Sequence, residues 1–239
     1  MRHQFDAFID DLKATHGRNL ASVILYGSAA AGDFVRHKSD YNLLIALREI
    51  TPKDLRLAQA PMREWNRMGH PAPVYFTIGE LDSAADVFPI EFLQMERARV
   101  VLYGTDVLAN LNISDEYLRH QTEYELRSKL IQLRRQYIPA STSVSDLINL
   151  MAESLSSFTA LFRAVLIIHG FEPPVTKPEI VAAMVKQLKI DGAPFEKIFE
   201  IRESNSAKKL DETSANALFA GYMQQIENVI GAVDKVQKS

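Results

Sequence analysis

The stretch Leu25-Tyr26-Gly27-Ser28-Ala29-Ala30-Ala31-Gly32-Asp33-Phe34-Val35-Arg36-His37-Lys38-Ser39-Asp40-Tyr41-Asn42-Leu43-Leu44-Ile45 decides how this chain is read. The apolar run at 23–26 stops at Gly27-Ser28, which predicts a buried strand ending in a turn. Ala29–Ala31 follow as a helical turn, with Gly32 and Asp33 as breakers. A strand-to-helix corner aims free backbone N–H groups and the positive end of a helix dipole at one point. Gly27 lets the backbone come close to a ligand, and Ser28 adds a hydroxyl donor. Such a corner suits a phosphate. About a dozen residues later the chain returns as a second apolar strand at 42–47. Asp40 and Asn42 are two apart and share one face of it. A carboxylate beside a phosphate cradle is how a protein holds magnesium on a nucleotide.

Working outward, Phe5, Phe8, Ile9 and Leu12 have helical spacing, predicting a helix over residues 3–15 that stops at His16-Gly17. Thr51-Pro52 reads as an N-cap with Pro at the first helical position, opening a helix to about residue 67. Strands are predicted at 74–78 and 99–103, with a helix at 88–99 between them. Past residue 113 no strand pattern is convincing. Ser114 caps a helix of about 24 residues that ends before Pro139. A second long helix spans 146–169, with Gly170 as its C-terminal cap and a stripe that includes Leu147, Met151, Leu155, Phe158 and Phe162. Helices near 178–189, 194–204 and 212–235 follow. The expected fold class is therefore α+β: a mixed sheet with flanking helices over residues 1–112, then an all-α bundle over 113–239.

Gly27-Ser28, the spacer and Asp40-x-Asn42 on an apolar strand resemble the nucleotidyltransferase superfamily of polymerase-beta-like enzymes and aminoglycoside adenylyltransferases. The match is close from Leu25 to Leu47, and the flanking order of elements fits the first 110 or so residues. The helical second half is similar to the C-terminal bundle of the antibiotic adenylyltransferases. The resemblance implies transfer of a nucleoside monophosphate from a magnesium–nucleoside triphosphate to a hydroxyl acceptor, a small molecule or a protein side chain. It implies that Gly27 and Ser28 grip the phosphates, that Asp40 and Asn42 are the catalytic and metal-binding pair, and that the cleft lies between the two domains.

The chain also departs from the family pattern. The second acid of the family motif is Asn42, whose amide oxygen can ligate magnesium but brings no negative charge. The strand at 73–78, where the family often carries a third acid, has none, and Glu80 is the nearest carboxylate. Two other readings follow. One is a degenerate transferase that binds a nucleotide, or acts through partners, without catalysing. The other takes Arg163 and His169, six apart, as a HEPN-like ribonuclease pair in which His works as acid/base and Arg holds phosphate; the Asn common after that Arg is Ala164 here. A cation before Gly170 also offsets the helix dipole without any catalysis.

Composition narrows the rest. Of 239 residues, 47% are hydrophobic and 24% charged, as in ordinary globular proteins. No cysteine is present, which excludes disulfide scaffolds, thiolate zinc sites and cysteine nucleophiles. Net charge is −3, with 12 Lys+Arg against 14 Asp+Glu over residues 1–110, so neither half has the basic excess of a general nucleic-acid binder. The N-terminus lacks a signal-peptide core and no unbroken apolar run reaches the ~18–20 residues that span a bilayer. The expectation is a cytoplasmic protein without membrane contact.

Overall fold

The computed structural model describes residues 5–31, 41–204 and 210–236. The chain forms two compact units, Met1–Ser114 and Asp115–Ser239.

The first unit opens with α1 (Asp6–His16) and β1 (Leu20–Tyr26), followed by the four-residue α2 (Ser28–Ala31) and β2 (Asn42–Leu47). The chain continues through α3 (Pro52–Leu57), α4 (Gln59–Arg67), β3 (Val74–Thr77), α5 (Ile78–Ser83), α6 (Pro89–Arg97) and β4 (Arg99–Gly104). The strands lie in the order β3-β2-β1-β4. β1 is antiparallel to both β2 and β4, and β2 is parallel to β3. On one face Val23, Leu25, Leu43, Ile45 and Leu47 pack with Phe5, Phe8, Leu12 and Trp65. On the other, Ile24, Leu44 and Ala46 meet Leu81, Phe92, Met95 and Leu108. Burial on both faces is why β1 and β2 read as continuous apolar runs rather than alternating ones.

Three local expectations change. The helix expected over 51–67 is two, because the chain turns at Ala58 between α3 and α4. Ile78 belongs to α5 rather than to the strand, because Thr77 and Glu80 form a capping box there. That Thr-x-x-Glu signature is visible in the sequence. Pro139 lies inside the last turn of the long helix that follows instead of beyond it. Its missing N–H removes the bond that would reach the Arg135 carbonyl, and the helix ends one residue later.

The second unit contains α7 (Asp115–Ala140), α8 (Val144–Ile168), α9 (Lys177–Leu188), α10 (Ala193–Ser204) and α11 (Glu212–Asp234). α8 is its core helix, burying Leu147, Met151, Leu155, Phe158, Phe162 and Val165 among others. It is long and apolar enough by composition to cross a membrane, yet half of its most apolar window is buried within the protein. Gly170 (φ 78°) closes α8, its N–H bonded to Ile167 O while the Phe171 N–H reaches Leu166 O.

His16, at the end of α1, is buried, and neither ring nitrogen has a partner among the described residues. Its ring stands edge-on to Tyr75, 6.1 Å between centroids, and the buried Tyr75 hydroxyl is also unpartnered among them. Burial lowers the His16 pKa below 6.5, with the Asp54 charge opposing. The unfolded chain therefore takes up a proton near pH 6.5 that the folded chain resists. Stability is fully present above that pH and falls as pH drops below it. Urea midpoints followed by the fluorescence of Trp65 should decline from about pH 7.5 to about 5.5, and His16→Phe should flatten that decline. An unchanged slope in the variant would assign the pH dependence to other groups.

Candidate functional site

The β1–α2 turn is built by the backbone. Tyr26 ends β1, and Gly27 follows with φ 80°, a left-handed conformation that favours glycine. The Gly27 carbonyl accepts the Ala30 N–H at 3.0 Å, and Ala29 is fully buried in the first core face. Ser28 opens α2 immediately after this anchored turn. The Gly27 N–H donates to Ala98 O at 3.1 Å, tying the turn to the start of β4. With the Ala30 N–H taken by Gly27 O, the candidate donors are the Ser28 and Ala29 N–H groups at the start of α2, which have no partner within a helix. With only four residues, α2 adds little dipole to them.

Asn42 is the first residue of β2 and pairs with Tyr26 across the antiparallel ladder. Its side chain leans over the turn: a Cβ on Gly27 would lie 3.3 Å from Asn42 Nδ2. Gly27 and Asn42 are thus brought together, as the motif spacing expects. Asp40 lies outside the described residues, as do Arg36, His37 and Lys38. Tyr41 packs edge-on against Phe5 and His70, with centroids 5.1 and 4.8 Å away.

Two neighbours are not legible in the local sequence. Arg99 pairs with Tyr26 from β4, so Asn42, Tyr26 and Arg99 form one row across three strands. The Arg99 guanidinium is held by Asp106 (Nε to Oδ2 2.9 Å) and Glu96 O (Nη1, 2.6 Å). Burial raises the Tyr26 pKa above 10, so the phenol is neutral at physiological pH. No local signal reveals this row, because it depends on strand pairing.

The third acid is absent from this end of the sheet among the described residues. β3 runs parallel to β2, with Val74 beside Leu44 and Thr77 beside Leu47. Glu80, past the Thr77 end, is therefore remote from Asn42; the five residues to Leu47 alone span about 17 Å. Its carboxylate is committed to the α5 cap, accepting the Thr77 N–H at 2.7 Å. Among the described residues no cluster of three His, Asp or Glu could hold a metal ion. Asn42 Oδ1 is one neutral oxygen donor there, and fits a hard cation only alongside a carboxylate.

In the second unit, Arg163 donates to Val175 O, and His169 Nδ1 lies 2.8 Å from Val165 O. Both side chains stabilise the end of α8 and the loop after it, which accounts for them without nuclease chemistry. Of the polar strip on α8, Ser154 bonds the buried Tyr222 hydroxyl at 3.0 Å, and Ser156 accepts from Lys177. Glu153, Ser154 and Ser157 also line a notch of about 160 Å³ facing Lys129, Gln132 and Gln136 of α7.

No family's sequence profile and no curated protein sequence matches this chain. Among solved structures, it is similar to the spectinomycin adenyltransferase from Enterococcus faecialis, determined with ATP and spectinomycin. The TM-score is 0.55 at 13% identity, covering 96% of this chain and 99% of that one. This chain has a nucleotidyltransferase-like fold. The mixed sheet comes first and the helical half second, as the expected α+β fold class has them.

Proposed function

We propose that this chain binds a nucleoside triphosphate at the Gly27–Ser28 turn and transfers its nucleoside monophosphate to a hydroxyl acceptor. The observation that carries the reading is the joint placement of the left-handed Gly27, the N-terminus of α2 and the Asn42 side chain at one end of the sheet. Residues 1–112 form the nucleotidyltransferase-like domain and residues 113–239 a helical bundle whose role lies with the acceptor. The ATP and spectinomycin of the structural neighbour support a nucleotide and a hydroxyl-bearing small molecule as the substrate pair.

The acceptor oxygen attacks the α-phosphorus, the bond to the bridging oxygen breaks, and pyrophosphate leaves with its electron pair. The acceptor proton passes to solvent or to the leaving group. The Ser28 and Ala29 amides bind phosphate oxygens, and Gly27 keeps the approach open. Asp40 and Asn42 would hold magnesium, which neutralises triphosphate charge when bound. The site fits the cytoplasm, where nucleoside triphosphates are abundant, and a chain of net charge −3 does not favour nucleic acid.

A second reading, a nucleotide-binding protein with little transferase activity, is favoured by the neutral Asn42 and the commitment of Glu80 to its cap. Calorimetric titration with ATP tests both. Magnesium-dependent binding, lost in Asp40→Ala, is expected. Absence of binding to any nucleoside triphosphate would overturn both.

A further inference from the structure

α7 and α8 form a helical hairpin joined through residues 141–143. The notch of about 160 Å³ between them has two polar walls over an apolar floor. Lys129, Gln132 and Gln136 follow at i, i+3 and i+7 and share one face of α7. Glu153 and Ser157 are one turn apart and share the facing wall on α8. Leu133 and Phe158, each 1% exposed, make the floor with Leu150. The α8 side is anchored, because Ser154 Oγ lies 3.1 Å from Met151 O and 3.0 Å from the hydroxyl of the fully buried Tyr222.

The charges of the notch set it apart from the rest of α7. Arg119 and Arg127 are paired with Glu123, and Arg134 with Glu227. Neither Lys129 nor Glu153 has an ion pair or side-chain hydrogen bond among the described residues, and the two do not bridge to one another across the notch. Lys129 is half-buried, so its ammonium has lost part of its water without gaining an anion. A ligand of one charge answers one of these groups and opposes the other. A zwitterion answers both, its carboxylate meeting Lys129 and its ammonium meeting Glu153. The two glutamine amides and the Ser157 hydroxyl offer it further hydrogen bonds. The volume sets the size: it equals about five waters at ~30 Å³ each, too little for a nucleotide. The apolar floor suits a short aliphatic side chain.

We infer that the α7–α8 notch binds a free α-amino acid with an aliphatic side chain, held between Lys129 and Glu153. This site lies wholly within the second unit and does not depend on nucleotide binding at the Gly27 turn.

Calorimetric titration of the full chain with leucine, without nucleotide, tests the inference. Saturable binding with a Kd of about 1 mM or tighter is expected. N-acetylleucine lacks the ammonium and leucinamide lacks the carboxylate, so each should bind at least about tenfold more weakly. Lys129→Ala and Glu153→Gln should each weaken leucine binding at least about tenfold. Both variants should leave the circular dichroism melt of the free chain unchanged, since neither side chain gives up a partner within the described residues. The two blocked leucines test the same charges without altering the protein. No saturable binding of leucine, isoleucine, valine or methionine up to about 10 mM would overturn the inference. So would equal binding of leucine and its blocked forms, or leucine binding indifferent to either variant.

Discussion

Gly104→Ala is expected to destabilise the first unit by about 3–5 kcal/mol and to lower its melting temperature by about 10–20 °C. Gly104 ends β4 opposite Ser22 of β1 with φ 77°. An added Cβ would stand 2.0 Å from Ala21 O and 2.9 Å from Ala21 C, both backbone atoms of the central strand. No rotamer change relieves that contact. Strand β4 would have to move away from β1, pulling Thr105 O and Tyr103 O from the Ser22 hydroxyl, which lies 2.6 and 3.1 Å from them. Gly69→Ala is the matching control, because Gly69 has φ 87° but its new Cβ would meet nothing within 4 Å. It carries the left-handed strain alone, about 1–2 kcal/mol. The single tryptophan, Trp65, is buried with its indole N–H on Pro71 O at 2.8 Å, so its fluorescence reports unfolding of this unit. Equal melting temperatures for the two variants would show that the β1–β4 edge yields easily.

The second large effect is a gain. Asn42→Asp should raise magnesium-dependent nucleotidyl transfer by about 10²–10³-fold, roughly 3–4 kcal/mol of transition-state stabilisation. The substitution exchanges an amide for a carboxylate of nearly the same shape at the Gly27 turn, leaving the Tyr26–Asn42 pairing untouched. It adds the charge that the neutral side chain cannot bring to a cation. Magnesium should also raise the melting temperature of the variant more than that of the wild type, because the added carboxylate gains a counter-charge. Pyrophosphate release from ATP, followed with and without candidate acceptors, measures the first effect. Intact ATP binding with no gain in release would favour the nucleotide-binding reading over the transferase.

Much of this architecture is written locally in the chain. The apolar runs around Ile24 and Leu44 required strands buried on both faces, and helical spacing from Leu147 to Phe162 required a core helix. Gly27 is the only residue type that takes its φ without strain beside Asn42, so the turn too was legible from neighbours in sequence. Element boundaries were less so. The break at Ala58 rests on packing, while the Thr77–Glu80 cap is a short-range signal that competes with the β-rich run before it.

What sequence alone determined, then, is the set of elements and the Gly27 turn, because hydrophobic period and turn chemistry act over a few residues. Tertiary structure decided the rest. Strand order placed Arg99 in a row with Tyr26 and Asn42 although 57 residues separate Arg99 from Asn42 along the chain (99 − 42). The parallel course of β3 carried Glu80 to the opposite end of the sheet. The packing of α7 chose which of its two apolar stripes is buried and left Tyr117, Tyr124, Ile131 and Ile138 facing out. Each depends on which surfaces meet across the fold, and contacts between residues distant in sequence leave no periodic trace in either segment.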